Sequence, residues 1–407
     1  MQKQERDNQS IKRQAGRLLF IGLPDTRLDN RTRSLLSEVQ PGGVVLFGRN
    51  VESAEQVALL TAQIRDSVDH SILIGVDQEG GLVDRFRGIC EPMPSAKAVR
   101  EAGASELAQK FGKLSARVLR LLGFNINFAP VLDLSGNNQE NGLRGRTFGR
   151  SPAEVSRLAG AYLDGLQTGR IIGCGKHFPG LGGADIDSHR RLPVVKHSWE
   201  EILEHDLVPF MDLMFHRPGE RLHSLMVSHG AFPEVSELLQ AWFRRTGELP
   251  ALESFHQLPA TISGNVVMRL LRLVLKFDGL VITDDMEMGA VVQTLSVAEA
   301  SLRAIEAGSD MILICEQEAN FVAARDALVE AVEKNTLPVD ALERASHRID
   351  RALEIAGETE QFDQEEFDAA SREIAELKRA LKAAELTGEY APPFGTPDGG
   401  ERRSSNF

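Results

Sequence analysis

The sequence predicts an α/β protein built as a single (β/α)8 TIM barrel with a C-terminal helical extension. Eight short apolar or β-branched runs lie between residues 17 and about 335, and amphipathic segments separate them. Continuous apolar strands that are each followed by a helix indicate parallel strands buried on both faces. Polar residues follow the apolar part of strand after strand, which is typical of a barrel enzyme. An open, doubly wound sheet has the same periodicity and is the alternative.

The predicted strands, in chain order, are 17–23, 42–48, 71–77, 126–134, 171–178, 224–232, 279–285 and 311–315. Helices are predicted over 54–68, 105–122, 152–168, 197–214, 264–275 and 297–307. Ser151 and Ser198 are each followed three residues later by Glu, which is the sequence signature of a capping box at a helix N-terminus. Residues 233–260 predict a longer surface connection with a short helix, and 337–357 predict a helix on the outside of the barrel.

The composition changes near residue 357, so we divide the chain into a barrel domain, 1–356, and an acidic extension, 357–407. The extension carries 12 acidic and 6 basic residues, a net charge of −6. Residues 363–386 have helical spacing. The Pro-, Gly- and Ser-containing end of the chain is expected to be disordered.

Composition also excludes several classes of function. The net charge of −13 argues against a general nucleic-acid binder, which needs a basic surface to neutralise phosphates. The N-terminus is polar, and no run approaches the roughly 20 apolar residues of a membrane helix. Cys90, Cys174 and Cys315 lack metal-ligand spacing, and the last two lie in apolar runs where we expect them to be buried. We therefore predict a cytoplasmic, monomeric protein with no cofactor, no metal, no nucleic-acid partner and no membrane association.

The first segment that carries chemistry is GVDQEGGLVDRFRG, residues 75–88. Asp77 ends a predicted strand and precedes paired glycines, where backbone can approach a ligand closely. Arg85 and Arg87 follow on the same loop. A salt-bridge network within the loop is the structural alternative. A second segment, GLRGRTFG (142–149), places Arg146 after the fourth strand, where its guanidinium could bind a sugar hydroxyl or carbonyl. Taken alone, this segment is better explained by a surface arginine.

The third segment, KHFPGLGGADIDSHRRLP (176–193), is the richest in candidate groups. Lys176 and His177 end a strand, and the glycines that follow suit a loop that closes over a site. Asp187 and His189 can form a hydrogen bond if the loop turns tightly. An aspartate partner fixes the tautomer of an imidazole and raises its basicity, which suits a group that donates and then accepts a proton.

The fourth segment, FDGLVITDDMEMGA (277–290), ends an apolar strand with two adjacent carboxylates. Burial of ionised groups is costly without partners, so the pair is unusual. Strand alternation predicts that Asp284 and Asp285 point in opposite directions, one of them into a pocket. An N-cap role is the alternative for Asp285. The four segments follow strands three, four, five and seven, and a barrel brings those ends to one mouth.

Read together, GVDQEGG, GRTF, KHFPG, DSH, PATIS, FDGLVITDD and AGSDMIL resemble the ordered motifs of family 3 glycoside hydrolases over residues 15 to 355. The D-S-H element is similar to that of the bacterial β-N-acetylglucosaminidases that act in peptidoglycan recycling. Other members, such as β-glucosidases, take their acid/base Glu from a second domain, for which we expect no room in this chain. The resemblance implies a retaining enzyme that hydrolyses terminal β-linked N-acetylglucosamine from small glycosides such as muropeptide fragments.

The resemblance also implies residue roles. Asp284 matches the nucleophile, His189 the general acid/base and Asp187 the residue paired with it. Positions that bind the N-acetylglucosamine unit are matched by Asp77, Arg85, Arg146, Lys176 and His177. A retaining glycosidase needs an ionised carboxylate and a proton donor, and here an imidazolium replaces the usual second carboxylic acid.

Three positions depart from the family pattern. The family usually reads KHFPGHGD, whereas this chain has Leu181 and Gly183 at the His and Asp positions, and Leu82 stands where an Arg often follows the paired glycines. We expect these changes to remove polar groups from the mouth of the site and to alter the leaving-group preference.

Two other functions stay open at this stage. A histidine does not repel incoming phosphate as a carboxylate base would, so transfer of the sugar to phosphate or another acceptor is the first. The second is a sugar-binding barrel without turnover, against which the joint presence of Asp284, Asp187 and His189 argues. A metal enzyme is disfavoured because the histidines are scattered and no H-E-x-x-H spacing occurs.

Overall fold

The computed structural model describes residues 2–136, 141–215, 221–246, 257–357 and 359–387. Eight parallel strands form the centre: β1 (Leu19–Gly22), β2 (Gly43–Leu46), β3 (Leu73–Val76), β4 (Ile126–Asn127), β5 (Ile172–Phe178), β6 (Ser224–Val227), β7 (Leu280–Thr283) and β8 (Ile312–Ile314). Each strand from β1 to β6 pairs with the next one along the chain, and β8 pairs with β1. Beside β7, the backbone N–H of Thr283 donates to the carbonyl of Met311 at 3.0 Å, which closes the sheet. The predicted barrel is therefore confirmed, and the open sheet is excluded.

Helices surround the strands in the predicted order. The α-helices are Gln2–Arg17, Asn30–Val39, Ala54–Arg65, Ala96–Ala102, Ser105–Leu121, Pro152–Thr168, Trp199–Glu201, Val208–Phe215, Pro233–Thr246, Gly289–Val292, Val297–Ala307, Glu318–Glu333, Val339–Ala356 and Gln364–Thr387. Short 3-10 turns span Gly48–Asn50 and Ala260–Ile262, and π-helical segments span Ile202–Asp206 and Asn265–Val274. Capping boxes form at Ser151 and Ser198 as predicted. None of the described helices is long and apolar enough to span a membrane.

Four helical segments differ from the prediction, and one of them, predicted over 264–275, is the π-helical segment Asn265–Val274. The polar N-terminus, for which we predicted no element, forms the helix Gln2–Arg17. The helix in the 233–260 connection begins at Pro233 and is longer than predicted. The helix predicted over 197–214 is interrupted by a π turn, in which the N–H of Leu207 donates to the carbonyl of Ile202 at 2.8 Å. Pro209 lacks the N–H that would continue a regular helix through this point.

Aromatic rings fill the barrel interior beside glycines. The rings of Phe20 and Phe128 meet edge to face, with centroids 5.2 Å apart. A Cβ on Gly43 would lie 2.6 Å from the Phe20 ring, and one on Gly75 would lie 2.9 Å from it. Small residues on β2 and β3 therefore make room for the large side chains that pack the core. Cys174 and Cys315 are buried, as predicted, and Cys90 is partly buried.

The helical part of the extension is confirmed, and it packs on the barrel. Apolar residues spaced three and four apart along helix Gln364–Thr387 are buried: Phe367, Ala370, Ile374, Leu377, Leu381 and Ala384. They pack against helices Ala96–Ala102 and Ser105–Leu121. The backbone N–H of Glu91, on the loop after β3, donates to Ser371 Oγ at 2.8 Å. The end of the chain that we expected to be disordered lies outside the described residues.

Candidate active site

A cleft of about 380 Å³ opens at the carboxyl-terminal rim of the barrel. Asp77 and Asp284 directly follow β3 and β7, and Lys176 lies near the end of β5. Parallel strands place these ends at one rim, and the loops after β4 and β5 add further groups. All eight predicted site residues line this cleft: Asp77, Arg85, Arg146, Lys176, His177, Asp187, His189 and Asp284.

The floor of the cleft is a network of four charged side chains, Asp77, Glu79, Arg146 and Lys176, which we call the ion network. The Lys176 Nζ lies 2.7 Å from Asp77 Oδ1 and 2.6 Å from Glu79 Oε1. The Arg146 guanidinium donates to both oxygens of Glu79, at 2.8 Å each. Glu79 is therefore paired with two cations inside the protein, an arrangement that a buried charge requires.

The electrostatics of the network favour its charged state. Burial opposes the charge on Glu79, but Arg146 and Lys176 outweigh it and hold the pKa of that carboxyl far below its usual value. Burial likewise opposes the charge on Lys176, and the carboxylates of Asp77 and Glu79 raise the pKa of its ammonium group. The side chains consequently present fixed charges and polar atoms to the cleft.

Arg85 lies at the edge of the network. Its Nη2 is 3.5 Å from Asp77 Oδ2, and the guanidinium lies over the ring of Phe47, 5.6 Å from its centroid. The buried Nε atom has no hydrogen-bond acceptor within the part of the chain that the structure describes. Arg85 is thus held loosely at the edge of the cleft, with part of its guanidinium exposed.

His177 is oriented by a buried aspartate. Its Nδ1 donates to Asp133 Oδ2 at 2.6 Å, and its backbone N–H reaches the same oxygen at 3.2 Å. The other oxygen, Asp133 Oδ1, accepts from the backbone N–H of Leu181 at 2.6 Å. Since Nδ1 is occupied, Nε2 is the ring nitrogen available to a ligand in the cleft.

Asp187 and His189 form the pair that their spacing predicted. They lie on the loop 179–198 after β5, which we call the His189 loop. Asp187 Oδ1 accepts from the backbone N–H of His189 at 3.0 Å and from its Nδ1 at 2.7 Å, so the loop does turn tightly. Burial opposes ionisation of Asp187, but the two hydrogen bonds from His189 lower the pKa of the carboxyl. An anionic partner stabilises a protonated imidazole.

The two carboxylates after β7 have different environments. Burial opposes ionisation of Asp284, but the neighbouring histidines, His229 first, and the N–H of Asp285 hold its pKa below the usual value. That N–H lies 2.9 Å from Asp284 Oδ1. For Asp285, burial, together with the charges of Glu287 and Asp284, raises the pKa to about 7. Asp284 is therefore the better anion of the two.

Both aspartates line the cleft, although strand alternation predicted only one of them in a pocket. The strand ends at Thr283, so its alternation does not extend to them. His229 supports this turn: its Nε2 donates to the carbonyl of Asp285 at 2.7 Å, and its Nδ1 lies 2.8 Å from Thr261 Oγ1. Burial lowers the pKa of His229, and the Asp284 carboxylate acts against this shift.

The three departures from the family pattern occupy different places. Leu181 lines the cleft and is only 5 % exposed. Leu82 is 73 % exposed. Gly183 instead packs against the imidazole of His197, where an added Cβ would lie 2.4 Å from the ring. Of the two loop changes, Leu181 thus lies in the lining of the cleft, whereas Gly183 lies beside His197 and does not line it.

Sequence reasoning missed two residues of the site, Glu79 and Asp133. Both carried a signal, since Glu79 precedes the paired glycines of the first motif and Asp133 interrupts an apolar run. A buried charged residue needs an ion-pair or hydrogen-bond partner. The partners of Glu79 and Asp133 lie far from them in the sequence. Across the described ranges, no group of three or more His, Cys, Asp or Glu side chains is arranged to hold a metal ion.

Comparison with known proteins gives consistent relatives. The family model described as glycosyl hydrolase family 3 N terminal domain matches residues 10–352. A β-hexosaminidase from Tolumonas auensis is 33% identical over 312 residues, which cover 76% of this chain and 86% of the relative. One from Methylococcus capsulatus is 34% identical over 341 residues, covering 82% and 93%.

Solved structures show the same likeness. A glycoside hydrolase family 3 β-N-acetylglucosaminidase from Paenibacillus sp. str. FPU-7 superposes with a TM-score of 0.79 at 31% identity, over 90% of this chain and 68% of that one. NagZ from Neisseria gonorrhoeae, solved with N-trifluoroacetyl-D-glucosamine, gives a TM-score of 0.69 at 27% identity, over 89% and 98%.

Proposed function

The chain belongs to glycosyl hydrolase family 3, and from that premise we propose that it is a retaining β-N-acetylglucosaminidase that removes terminal β-linked N-acetylglucosamine. One observation carries the proposal: an ionised carboxylate, Asp284, and an Asp–His pair line the same cleft as the ion network. Glycoside cleavage with retention needs a nucleophile, a proton donor and a sugar-binding floor in one place.

The roles follow from the chemistry of each group. The Asp284 carboxylate attacks the anomeric carbon, and His189, protonated on Nε2 and oriented through Nδ1 by Asp187, gives a proton to the departing oxygen. The sugar is then bonded to Asp284. Neutral His189 next takes a proton from water, which attacks the same carbon and frees the sugar and the carboxylate.

Binding of the sugar falls to groups whose partners fix them in place. Lys176, Asp77 and Arg146 present polar atoms from the floor, and His177 offers Nε2. Arg85, which is held more loosely, offers its part-exposed guanidinium. A neutral sugar suits this floor because the charges of the network already compensate each other.

We also propose the setting of this activity: a cytoplasmic monomer that acts on muropeptide fragments. The β-hexosaminidase relatives and the similarity to recycling enzymes support the substrate class. The three free cysteines are compatible with a reducing compartment.

The test compares p-nitrophenol release from the β-N-acetylglucosaminide and from the β-glucoside, each with and without phosphate. The proposal expects release from the first substrate, independent of phosphate. Activity confined to the glucoside would refute the sugar assignment, and a requirement for phosphate would indicate phosphorolysis. Binding of N-acetylglucosamine without any turnover would indicate a sugar-binding barrel. Release of N-acetylglucosamine from a disaccharide with N-acetylmuramic acid would then test the substrate class.

A further inference from the structure

The backbone of the His189 loop is held between two neighbouring loops at the rim. On one side lies the loop after β4, residues 141–151. On the other lies the short helix Gly289–Val292, a few residues after Asp284 and Asp285. Each neighbour meets the His189 loop at a glycine. Gly142 lies against Asp187, and Gly289 lies against His189 and Arg190.

Gly289 allows the closest approach. A Cβ added there would lie 2.8 Å from the carbonyl oxygen of His189 and 2.7 Å from that of Arg190. Both are backbone atoms, so a side chain at this position would displace the loop itself. Two hydrogen bonds hold the same contact, from the N–H of Ala290 to the carbonyl of Ser188 at 3.2 Å and from Gln293 Nε2 to the carbonyl of Arg190 at 2.8 Å.

Gly142 meets the other member of the pair. A Cβ there would lie 2.9 Å from Asp187 Oδ2, the carboxylate oxygen that does not bond to His189. The Gly142 carbonyl accepts from Arg146 Nη1 at 3.0 Å, which ties this glycine to the ion network. Its φ of +76° is a conformation that glycine adopts without strain.

We propose that Gly142 and Gly289 are positioning residues for proton transfer: because neither has a side chain, the loop that carries the Asp187–His189 pair packs closely against both, and they fix the pair from two sides. The inference rests on the proposed function, in which His189 is the acid/base. A displacement of about 1 Å in a reacting group can lower a rate by about a hundredfold. A methyl group added at either glycine is therefore expected to slow the reaction by displacing the pair.

The test uses Gly289→Ala and Gly142→Ala with two substrates that differ in their need for a proton. Nitrophenolate departs without help, whereas a sugar alkoxide does not. We expect kcat on an N-acetylglucosaminyl disaccharide to fall by up to about a hundredfold. The first equivalent of nitrophenol, measured before steady state, should appear within about threefold of the wild-type rate, because it leaves without the proton whose delivery is impaired.

The chain offers matched controls. Gly145 lies on the same loop as Gly142 with a φ of +77°, but a Cβ there would meet nothing within 4 Å. Gly145→Ala therefore imposes the same backbone strain without touching Asp187, and Gly88→Ala adds a methyl group in open space. Both controls should keep the wild-type ratio of the two rates, whatever they do to the melting temperature.

Equal losses on both substrates in the Gly142 and Gly289 variants would overturn the inference and make these glycines merely structural. If Gly289→Ala does not fold, Gln293→Ala replaces it, because Gln293 is exposed and only its hydrogen bond to Arg190 is lost. A selective loss on the disaccharide would support the proposal and an equal loss would refute it. A wild-type protein inactive on both substrates would instead refute the proposed function.

Discussion

The two sides of the cleft differ in how their charged groups are held. In the ion network, Glu79 and Lys176 expose 4% and 2% of their side chains and are fixed by ion pairs across three loops or strands. In the proton-transfer pair, Asp187 and His189 expose 29% and 70%, and they bond mainly to each other on one loop. In the proposed mechanism, the sugar-binding groups are therefore buried in the barrel, and the acid/base lies on an exposed loop.

This difference suits the role that we propose for each side. A group that binds a sugar can keep one geometry and one charge throughout the reaction, so burial and pairing are an advantage. A general acid/base must exchange protons with the leaving group and with water, so it needs contact with solvent. Substitutions in the network should therefore change stability and binding together, whereas substitutions in the pair should change turnover alone.

The largest effect is expected at Asp284, where the two sides meet. Asp284→Asn should lower turnover by several orders of magnitude and leave the fold intact, because an amide cannot form the glycosyl intermediate. The intact enzyme treated with an activated 2-fluoro glycoside should carry the sugar on this residue, as peptide mass mapping would establish. The adjacent Asp285→Asn is the matched control and should still form the adduct. An adduct on Asp285, or full activity of Asp284→Asn, would reverse the assignment.

A smaller and selective effect is expected at His189. His189→Ala should slow disaccharide cleavage by about 10²–10⁴-fold, while the nitrophenyl glycoside forms the glycosyl-enzyme almost normally. Asp187→Ala should show the same selectivity more weakly, and azide should accelerate the second step in His189→Ala. His197→Ala is the matched control, because His197 makes a similar 2.7 Å bond to Asp206 behind the cleft. Equal losses on both substrates, with no effect of azide, would make His189 a binding residue.

The ion network should respond in the opposite way. Glu79→Gln keeps the shape but leaves Arg146 and part of the Lys176 charge unpaired, and breaking a buried pair costs about 3–5 kcal/mol. We expect a lower melting temperature and a lower kcat/KM on both substrates alike. Glu316→Gln is the control: Glu316 also lines the cleft and pairs with Arg49 at 2.5 Å, but it is 61% exposed, and such pairs contribute about 0–1 kcal/mol. A selective loss on the disaccharide in Glu79→Gln would contradict the division between the two sides.

The sequence predicted the Asp187–His189 pair better than it predicted the ion network. The eight strands, the helix over 152–168 with its capping serine and the Asp187–His189 pair are local patterns, and the structure has all of them. The partners of Glu79 and Asp133 come from other loops and strands, and their distances are set only when the barrel closes. The glycine contacts at the His189 loop were not predicted for the same reason, since each joins two segments far apart in the chain.

The pKa of Asp285, raised to about 7 from a usual 3.8, predicts a pH effect on stability. Between those two values the folded protein retains a proton that the unfolded chain releases. The contribution of this group to the free energy of unfolding is therefore complete below pH about 4, is lost as the pH rises to about 7, and is constant above. The free energy of unfolding in urea, measured from pH 4 to 9 for the wild type and for Asp285→Asn, isolates the contribution of Asp285. A difference between the two proteins that does not change with pH would show that Asp285 is ionised in the folded state.

The smallest effect is expected at the end of the extension. The acidic extension, predicted as one segment over 357–407, should divide into a packed helix and an end that contributes little to stability. Truncation after residue 390 should leave the melting temperature and both activities nearly unchanged, because the removed residues are rich in Pro and Gly and have no apolar periodicity. Ile374→Ala, in the helix Gln364–Thr387, should instead cost about 2–5 kcal/mol, since its side chain is fully buried.

The same helix also connects this prediction to the two sides of the cleft. Ser371 accepts from the backbone N–H of Glu91, and Lys378 pairs with the Glu91 carboxylate, on the loop that carries Asp77 and Arg85. Ile374→Ala should therefore raise KM on both substrates by loosening the recognition side, with no change in the ratio of disaccharide to nitrophenyl rates. If it altered that ratio, the extension would act on the proton-transfer pair. If the truncation lowered the melting temperature, residues beyond 390 would contribute to the packed core.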